Sequence, residues 1–229
     1  AILRPKTGKI DSNYLAIYLK SKFGQSQVQR LRRGSGQTGF ILEDFEQLFV
    51  ALPSDKLVDK VNELVTNSYD SLNQSNKTYQ QAEELLLEEL GLRDFQPSEQ
   101  GVNIKSLKDS FLSTGRLDAE YYQPKYDEII QRISKKSHDK LANLVDIKKS
   151  IEPGSEAYQE TGIPFYRVSN LTKMGLTKPD IHLDELFFGE TIKPKKDSIL
   201  LSKDGTVGIA YKLTADLDGI TSGALLHLA

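Results

Sequence analysis

A chain of 229 residues, 38% hydrophobic and 27% charged, is long enough for one large or two modest globular domains and lies far from the disordered class. It has no cysteine, which excludes a disulfide framework, a thiolate metal site and a cysteine nucleophile and suits the cytoplasmic location we expect; no apolar run approaches the ~18 residues of a membrane span, and AILRPKTG at its start lacks the order of a signal peptide. The net charge of −2 argues against a generically sticky polyanion binder but hides segregation: residues 1–50 hold eight Lys/Arg against four Asp/Glu, and 51–100 hold four against ten.

In chain order, AILRPKTG reads as strand, as does ITSGALLHLA at the other end. Asp11 and Ser12 are N-cap candidates, and Leu15, Ile17, Tyr18, Leu19 and Phe23 follow at near-helical spacing, which predicts helix over 11–33 with a break at Gly24. The positive charge concentrates here, in KSKFGQSQVQRLRRGSGQ. GSGQTG (34–39) is loop by its three glycines, 43–48 makes a helical turn, and LFVAL is a short apolar strand stopped by Pro53.

Residues 54–90 read as one sustained helix, with Ser54 as N-cap, Asp55 in the first turn and Gly91 as the stop. Val58, Val61, Val65, Ser68, Leu72, Ser75, Tyr79, Ala82 and Leu86 alternate by three and four, which is a coiled-coil seam made narrow by its serines and alanine. No second heptad stretch exists in the chain, so the seam predicts a helix of another chain as its mate, with packing against its own domain as the alternative. FQPSEQGVN is linker; a turn at 113–115 and a helix from about Pro124 to Lys135 come next. Beyond Leu141 the reading is strand and turn: LVDIKKSIEP, IPFYRVSNL, IHLDE, DSILLSKDG, VGIAYKL and GALLHLA. A helix-rich first half and a strand-rich second half predict an α+β protein.

Catalytic chemistry is sparse. His138, His182 and His227 are isolated and read as surface or strand histidines. GSGQTG lacks the Lys-Ser/Thr tail of a phosphate loop. Asp180, Asp184 and Glu185 with Lys193 and Lys195 do not have the spacing of a metal-dependent nuclease. Neither the glycine-rich cofactor loop nor the Pro-Pro-Tyr loop of an adenine methyltransferase is present. We therefore expect no catalytic residue, no metal site and no cofactor in this chain. The chemistry of recognition is better represented. SILLSKDGTVGIAYKL places a polar tip, Ser202-Lys203-Asp204-Gly205-Thr206, between two apolar strands, and FYRVSNL sets Arg167, Ser169 and Asn170 at the exposed end of another. Lysine and hydroxyl groups suit phosphate oxygens; arginine pairs with guanine and asparagine with adenine through two hydrogen bonds each.

The order of these pieces resembles the specificity subunit of type I restriction-modification enzymes. IPFYRVSNLTKMG…IKPKKDSILLSKDGTVGIAYKL (within 141–229) resembles the first half of a target-recognition domain, and ILRPKTGKIDSNYLAIYLKSKFGQSQVQRLRRGSGQTGFILEDFEQLFVALP (within 1–53) the second half. SDKLVDKVNELV…EELLLEELGL (54–91) is similar to the spacer helix between recognition domains, and GRLDAEYYQPKYDEII (within 92–140) to the lead-in before the next one. The halves stand in permuted order around one spacer helix, which fits either a fragment of a two-domain subunit or two copies whose antiparallel helices bring 142–229 of one to 1–53 of the other, so that Ala229 lies near Ala1 of the second copy.

The resemblance implies a non-catalytic subunit that reads a bipartite site on double-stranded DNA and docks methyltransferase subunits and a restriction translocase subunit. S-adenosylmethionine would belong to the methyltransferase partner. Phosphate contact is expected from Lys22, Arg30, Arg32, Arg33 and Lys203, and base reading from Arg167, Ser169, Asn170, Asp204, Thr206, Ser35 and Gln37. Val58, Val61, Val65, Leu72, Tyr79 and Leu86 would carry a homodimer through antiparallel spacer helices. The alternative is a coiled-coil adaptor whose globular ends bind protein and read no DNA.

Overall fold

The computed structural model describes residues 3–34, 39 and 41–229, in two compact units, Ala1–Arg132 and Ile133–Ala229. The fold is α+β, with helices and one very long helix in the first unit and short-stranded sheets in the second.

In the first unit, α1 (Ser12–Lys20) starts where the Asp11 carboxylate accepts a hydrogen bond from the Tyr14 N–H at 2.9 Å. That bond holds Asp11 below the usual carboxylate range. The expected break at Gly24 falls instead at Ser21. Its hydroxyl donates to the Tyr18 carbonyl at 2.6 Å, closing α1, and accepts from the Gly24 N–H at 3.3 Å, opening α2 (Lys22–Leu31). Gly24 lies buried inside α2, where a Cβ would come within 2.4 Å of the Tyr18 carbonyl oxygen. Glycine is needed there for close approach of the two helices, not to end one.

After α3 (Leu42–Phe45), the segment LFVAL forms no strand. The Gln27 amide does what a neighbouring strand would: it donates to the Phe49 carbonyl at 3.0 Å and accepts the Phe49 N–H at 2.9 Å. Tyr14 Oη donates to the Ala51 carbonyl at 3.0 Å. With these three backbone groups satisfied by helix side chains and Phe49, Ala51 and Leu52 exposed to solvent, the segment needs no sheet. Of the expected N-terminal strand, Ala1 and Ile2 lie outside the described residues, and 3–6 have no regular structure.

Helix α4 (Asp55–Leu90) has 36 residues and spans ~54 Å at ~1.5 Å per residue. Ser54 flanks it with extended backbone but makes no side-chain capping bond. Gly91 ends it at φ 67°; its N–H reaches the Glu88 carbonyl at 2.9 Å, and that of Leu92 reaches Leu87 at 2.8 Å. Arg132, in α6 (Pro124–Ile133), donates from Nε to the Gly91 carbonyl at 3.0 Å. A four-residue helix, α5 (Phe111–Thr114), and a 3₁₀ turn (Ala119–Tyr122) lie between. Among the described residues no helix is long and apolar enough to cross a membrane.

The second unit begins with the short helix α7 (Leu141–Leu144). Its main sheet has four strands, all antiparallel, in the order β1-β9-β6-β7: β1 (Ile147–Lys149), β6 (Ile199–Ser202), β7 (Ala210–Lys212) and β9 (Leu225–Leu228). A second sheet, β5-β2-β8, sets β2 (Ile163–Tyr166) antiparallel to β5 (His182–Leu183) and parallel to β8 (Ile220–Thr221). β3 (Leu171–Thr172) and β4 (Gly175–Leu176) form a separate hairpin, and α8 (Glu185–Phe188) follows β5. The strand expected at GALLHLA forms as β9, which lies between β1 and β6.

Two apolar clusters fill this unit: Ile163, Phe165, Leu183 and Ile220 beneath the smaller sheet, and Leu171, Leu200, Leu213 and Leu225 beneath the larger. Thr221 of β8 and His227 of β9 tie the sheets together, with Thr221 Oγ1 2.6 Å from His227 Nε2 and both residues buried. Burial, reinforced by Lys148, pushes the His227 pKa down, so the folded imidazole is neutral. Below pH ~6.5 the unfolded chain binds a proton that the folded chain does not, so stability falls as pH drops from ~6.5 toward the folded pKa and then levels. Thermal unfolding followed by circular dichroism should show this acid-side loss, and His227→Gln should remove it; equal slopes in both proteins would contradict the assignment.

Candidate nucleic-acid interface

The second unit gathers several expected readers on one rim, and the backbone explains why. Parallel pairing ends β2 and β8 on the same side, and the Ser222 N–H donates to the Tyr166 carbonyl at 2.8 Å. From that turn, the Ala224 carbonyl accepts the Lys203 N–H at 3.0 Å where β6 ends. The end of β2, which Arg167 and Ser169 follow, and the start of the 203–208 tip are thereby both tied to the 222–224 turn by main-chain hydrogen bonds.

On this rim the expected residues divide. Ser169, Asp204 and Thr206 are exposed. Arg167 is half-buried: Nη2 donates to Asp180 Oδ1 at 3.0 Å, the guanidinium stands 6.0 Å from the Tyr158 ring centre, and Nε is buried without a partner. The ammonium of Lys203 pairs with the Asp204 carboxylate beside it.

Asn170 is a correction. The expected exposed base reader is only 6% exposed. Its Oδ1 accepts the Arg167 N–H at 2.9 Å, and its Nδ2 reaches Thr177 Oγ1 at 3.4 Å. The amide is spent on the 3₁₀ turn (Val168–Asn170) that carries Ser169 outward.

In the first unit, Lys22 opens α2 and Arg30 lies in its last turn, both exposed, and Arg32 is exposed just beyond. Arg33 also departs from expectation. Its Nη2 and Nε donate to Asp44 at 2.6 and 3.1 Å, and the Asp44 carboxylate additionally accepts the Ile41 N–H at 3.0 Å. Asp44 is buried at 1% exposure, and the bonds from Arg33 hold its carboxyl below the ordinary range against the opposing effect of burial. Arg33 N and O also pair with Gly39 at 2.8 and 3.1 Å. This arginine fastens the base of the 34–39 loop and is not an unengaged phosphate contact. Ser35 and Gln37, in that loop, lie outside the described residues.

The α4 seam divides too. Val58, Val61 and Val65 are half-buried, and Ile17 and Lys20 of α1 share a groove with Val61, Leu64 and Val65. Asn13 Nδ2 donates to Asn62 Oδ1 across this contact at 2.8 Å. Leu72, Tyr79 and Leu86 remain exposed at 54%, 40% and 58%. Among the described residues no group of three or more His, Asp or Glu side chains is placed to hold a metal ion.

Residue types passed over three working parts: Asp180, which holds Arg167; Asp44, which holds Arg33; and Ser202, which latches the tip. Asp180 and Asp44 act across 13 and 11 positions and Ser202 across 4 and 7, contacts that residue type alone does not reveal.

No protein-family model matches the chain, and no curated protein matches it. Among solved structures, the HsdS subunit from Thermoanaerobacter tengcongensis is similar at 16% identity and a TM-score of 0.35, over 96% of this chain and 48% of that one. A chain from a study of complex assembly and conformational transition of the type I R-M system aligns at 16% identity and 0.35, over 94% and 47%. The type I restriction-modification system S subunit from M. genitalium aligns at 18% and 0.30, over 96% and 49%. The chain spans about half the length of each.

Replacing Asn170 by Ala leaves the half-buried Arg167 N–H without its side-chain acceptor and should cost about 1 kcal/mol. Asn170→Asp, which keeps the acceptor, should cost less. Chemical denaturation distinguishes them, and a fully stable alanine variant would contradict the structural role.

Proposed function

We propose that this chain is a non-catalytic DNA-recognition subunit of the type I restriction-modification kind, reading one half of a split duplex site with the rim of each target-recognition half and joining its partners through α4. The observation that supports the reading is the second-unit rim, where the strand end followed by Arg167 and Ser169 and the tip that carries Thr206 are both tied by main-chain bonds to the 222–224 turn. Side chains of these types on rigid supports are what base reading requires. Lys22, Arg30 and Arg32 supply phosphate contacts, while Arg33, Asp44, Asp180 and Asn170 position the readers and do not touch DNA.

The bare stretch of α4 from Leu72 to Leu86 supports a second helix as partner. Two copies of α4 packed antiparallel would bring each copy's seam onto the other, and the spacer length would then set the distance between half-sites. Methyltransferase subunits carrying S-adenosylmethionine and a restriction translocase subunit complete the proposed assembly; methylation and cleavage reside in them. The adaptor reading is favoured by the same helix, and DNA binding separates the two.

With three phosphate contacts, log K for a duplex should fall by roughly 3 per log unit of salt. Fluorescence anisotropy between low and moderate salt measures the slope, and Lys22→Ala with Arg30→Ala should reduce it by about 2. Salt-independent binding, or none with partner subunits present, would leave the adaptor. Leu72→Glu with Tyr79→Glu should convert a two-copy species into single chains by light scattering while α-helical circular dichroism persists. A wild type already single at high concentration would contradict antiparallel pairing.

A further inference from the structure

The tip between β6 and β7 has a fixed shape. Ser202, 1% exposed, accepts the Ile209 N–H on Oγ at 2.9 Å and donates from Oγ to the Thr206 carbonyl at 2.5 Å. Its main chain pairs with the same region, Ser202 N to the Ile209 carbonyl and Gly208 N to the Ser202 carbonyl, both at 2.9 Å. Gly205 and Gly208, at φ 66° and 92°, supply the two left-handed residues that turn the chain back. A buried hydroxyl bonded on both sides leaves the loop little freedom.

The tip turns one apolar side chain outward among its polar ones. The only ionic groups, Lys203 and Asp204, neutralise one another, so the tip offers little net attraction to phosphate. Val207, beside Thr206, is 70% exposed. Nothing stands within 4 Å of the Cβ positions of Gly205 and Gly208, so the flanks of the tip are clear. A two-stranded ribbon fits the ~12 Å major groove, and thymine alone presents a methyl group there. Valine is stiff at χ1 and cannot turn its methyls away once the backbone is fixed.

We propose that Val207 is a specificity-determining residue that recognises thymine by apolar contact with its 5-methyl group in the major groove. The inference rests on the DNA-recognition reading above and deepens it: the tip reads a methyl group, with Thr206 beside it and Ser202 as the positioning residue beneath.

The test uses the full chain and duplexes enriched by it from a random pool. In the preferred duplex each thymine is replaced singly by deoxyuridine, which removes only the methyl. The wild type should lose about fourfold in affinity at one position, the equivalent of one buried methyl group. Val207→Ala should bind thymine and uracil duplexes alike there, with its salt slope unchanged. Uracil indifference at every position of a site that the wild type does select, or discrimination retained by Val207→Ala, overturns the inference and leaves DNA recognition standing. Absence of any sequence preference overturns both.

Discussion

A helix of 36 residues that buries none of them is the constraint on which the rest of the molecule turns. Isolated helices hold together mainly by packing an apolar face, and α4 has such a face but only its first third is covered. The first unit is built to fasten the ends of this helix. Asn13 bonds to Asn62 near the start, α1 leans on Val61 and Val65, and Arg132 caps the Gly91 carbonyl at the finish. Between these fixings Leu72, Tyr79 and Leu86 are left to water. The helix also has no basic residue in its last turn, where Glu88 and Glu89 face the negative end of the dipole; Arg132 and the Arg93–Glu88 pair at 3.3 Å offset this in part.

The second unit solves a different problem: how to hold short strands in register so that their ends present side chains reproducibly. Strands of two to four residues contribute little by themselves. The buried Thr221–His227 pair and the main-chain bonds through the 222–224 turn lock the two sheets into one frame. On that frame the residues nearest the rim fall into those bonded inward and those exposed. Asn170, Asp180 and Ser202 are occupied within the protein, whereas Ser169, Thr206 and Val207 face outward.

What was legible in the sequence follows the range of the interaction responsible. The long helix was readable from a seam sustained over nine positions and a glycine stop, and the β6–β7 hairpin from two apolar runs around a glycine-containing tip. Strands β3, β4 and β8, with two residues each, are too short to show alternation. Structure departs from the residue pattern where a side chain is occupied by a partner within the protein. Gln27 satisfies Phe49 across 22 positions and removes the need for a strand at LFVAL. Arg33 reaches Asp44 across 11, turning an apparent phosphate contact into a loop fastening. Asn170 has the residue type of an adenine reader but sits buried in its own turn.

Hydroxyl-radical footprinting of the assembled chain on its best-bound duplex tests the central claim most directly. Two protected tracts separated by an unprotected interval of constant length are predicted, because two rims held apart by a rigid helix can touch DNA only at a fixed separation. A single continuous tract, or uniform faint protection along the whole duplex, would contradict a split-site reader.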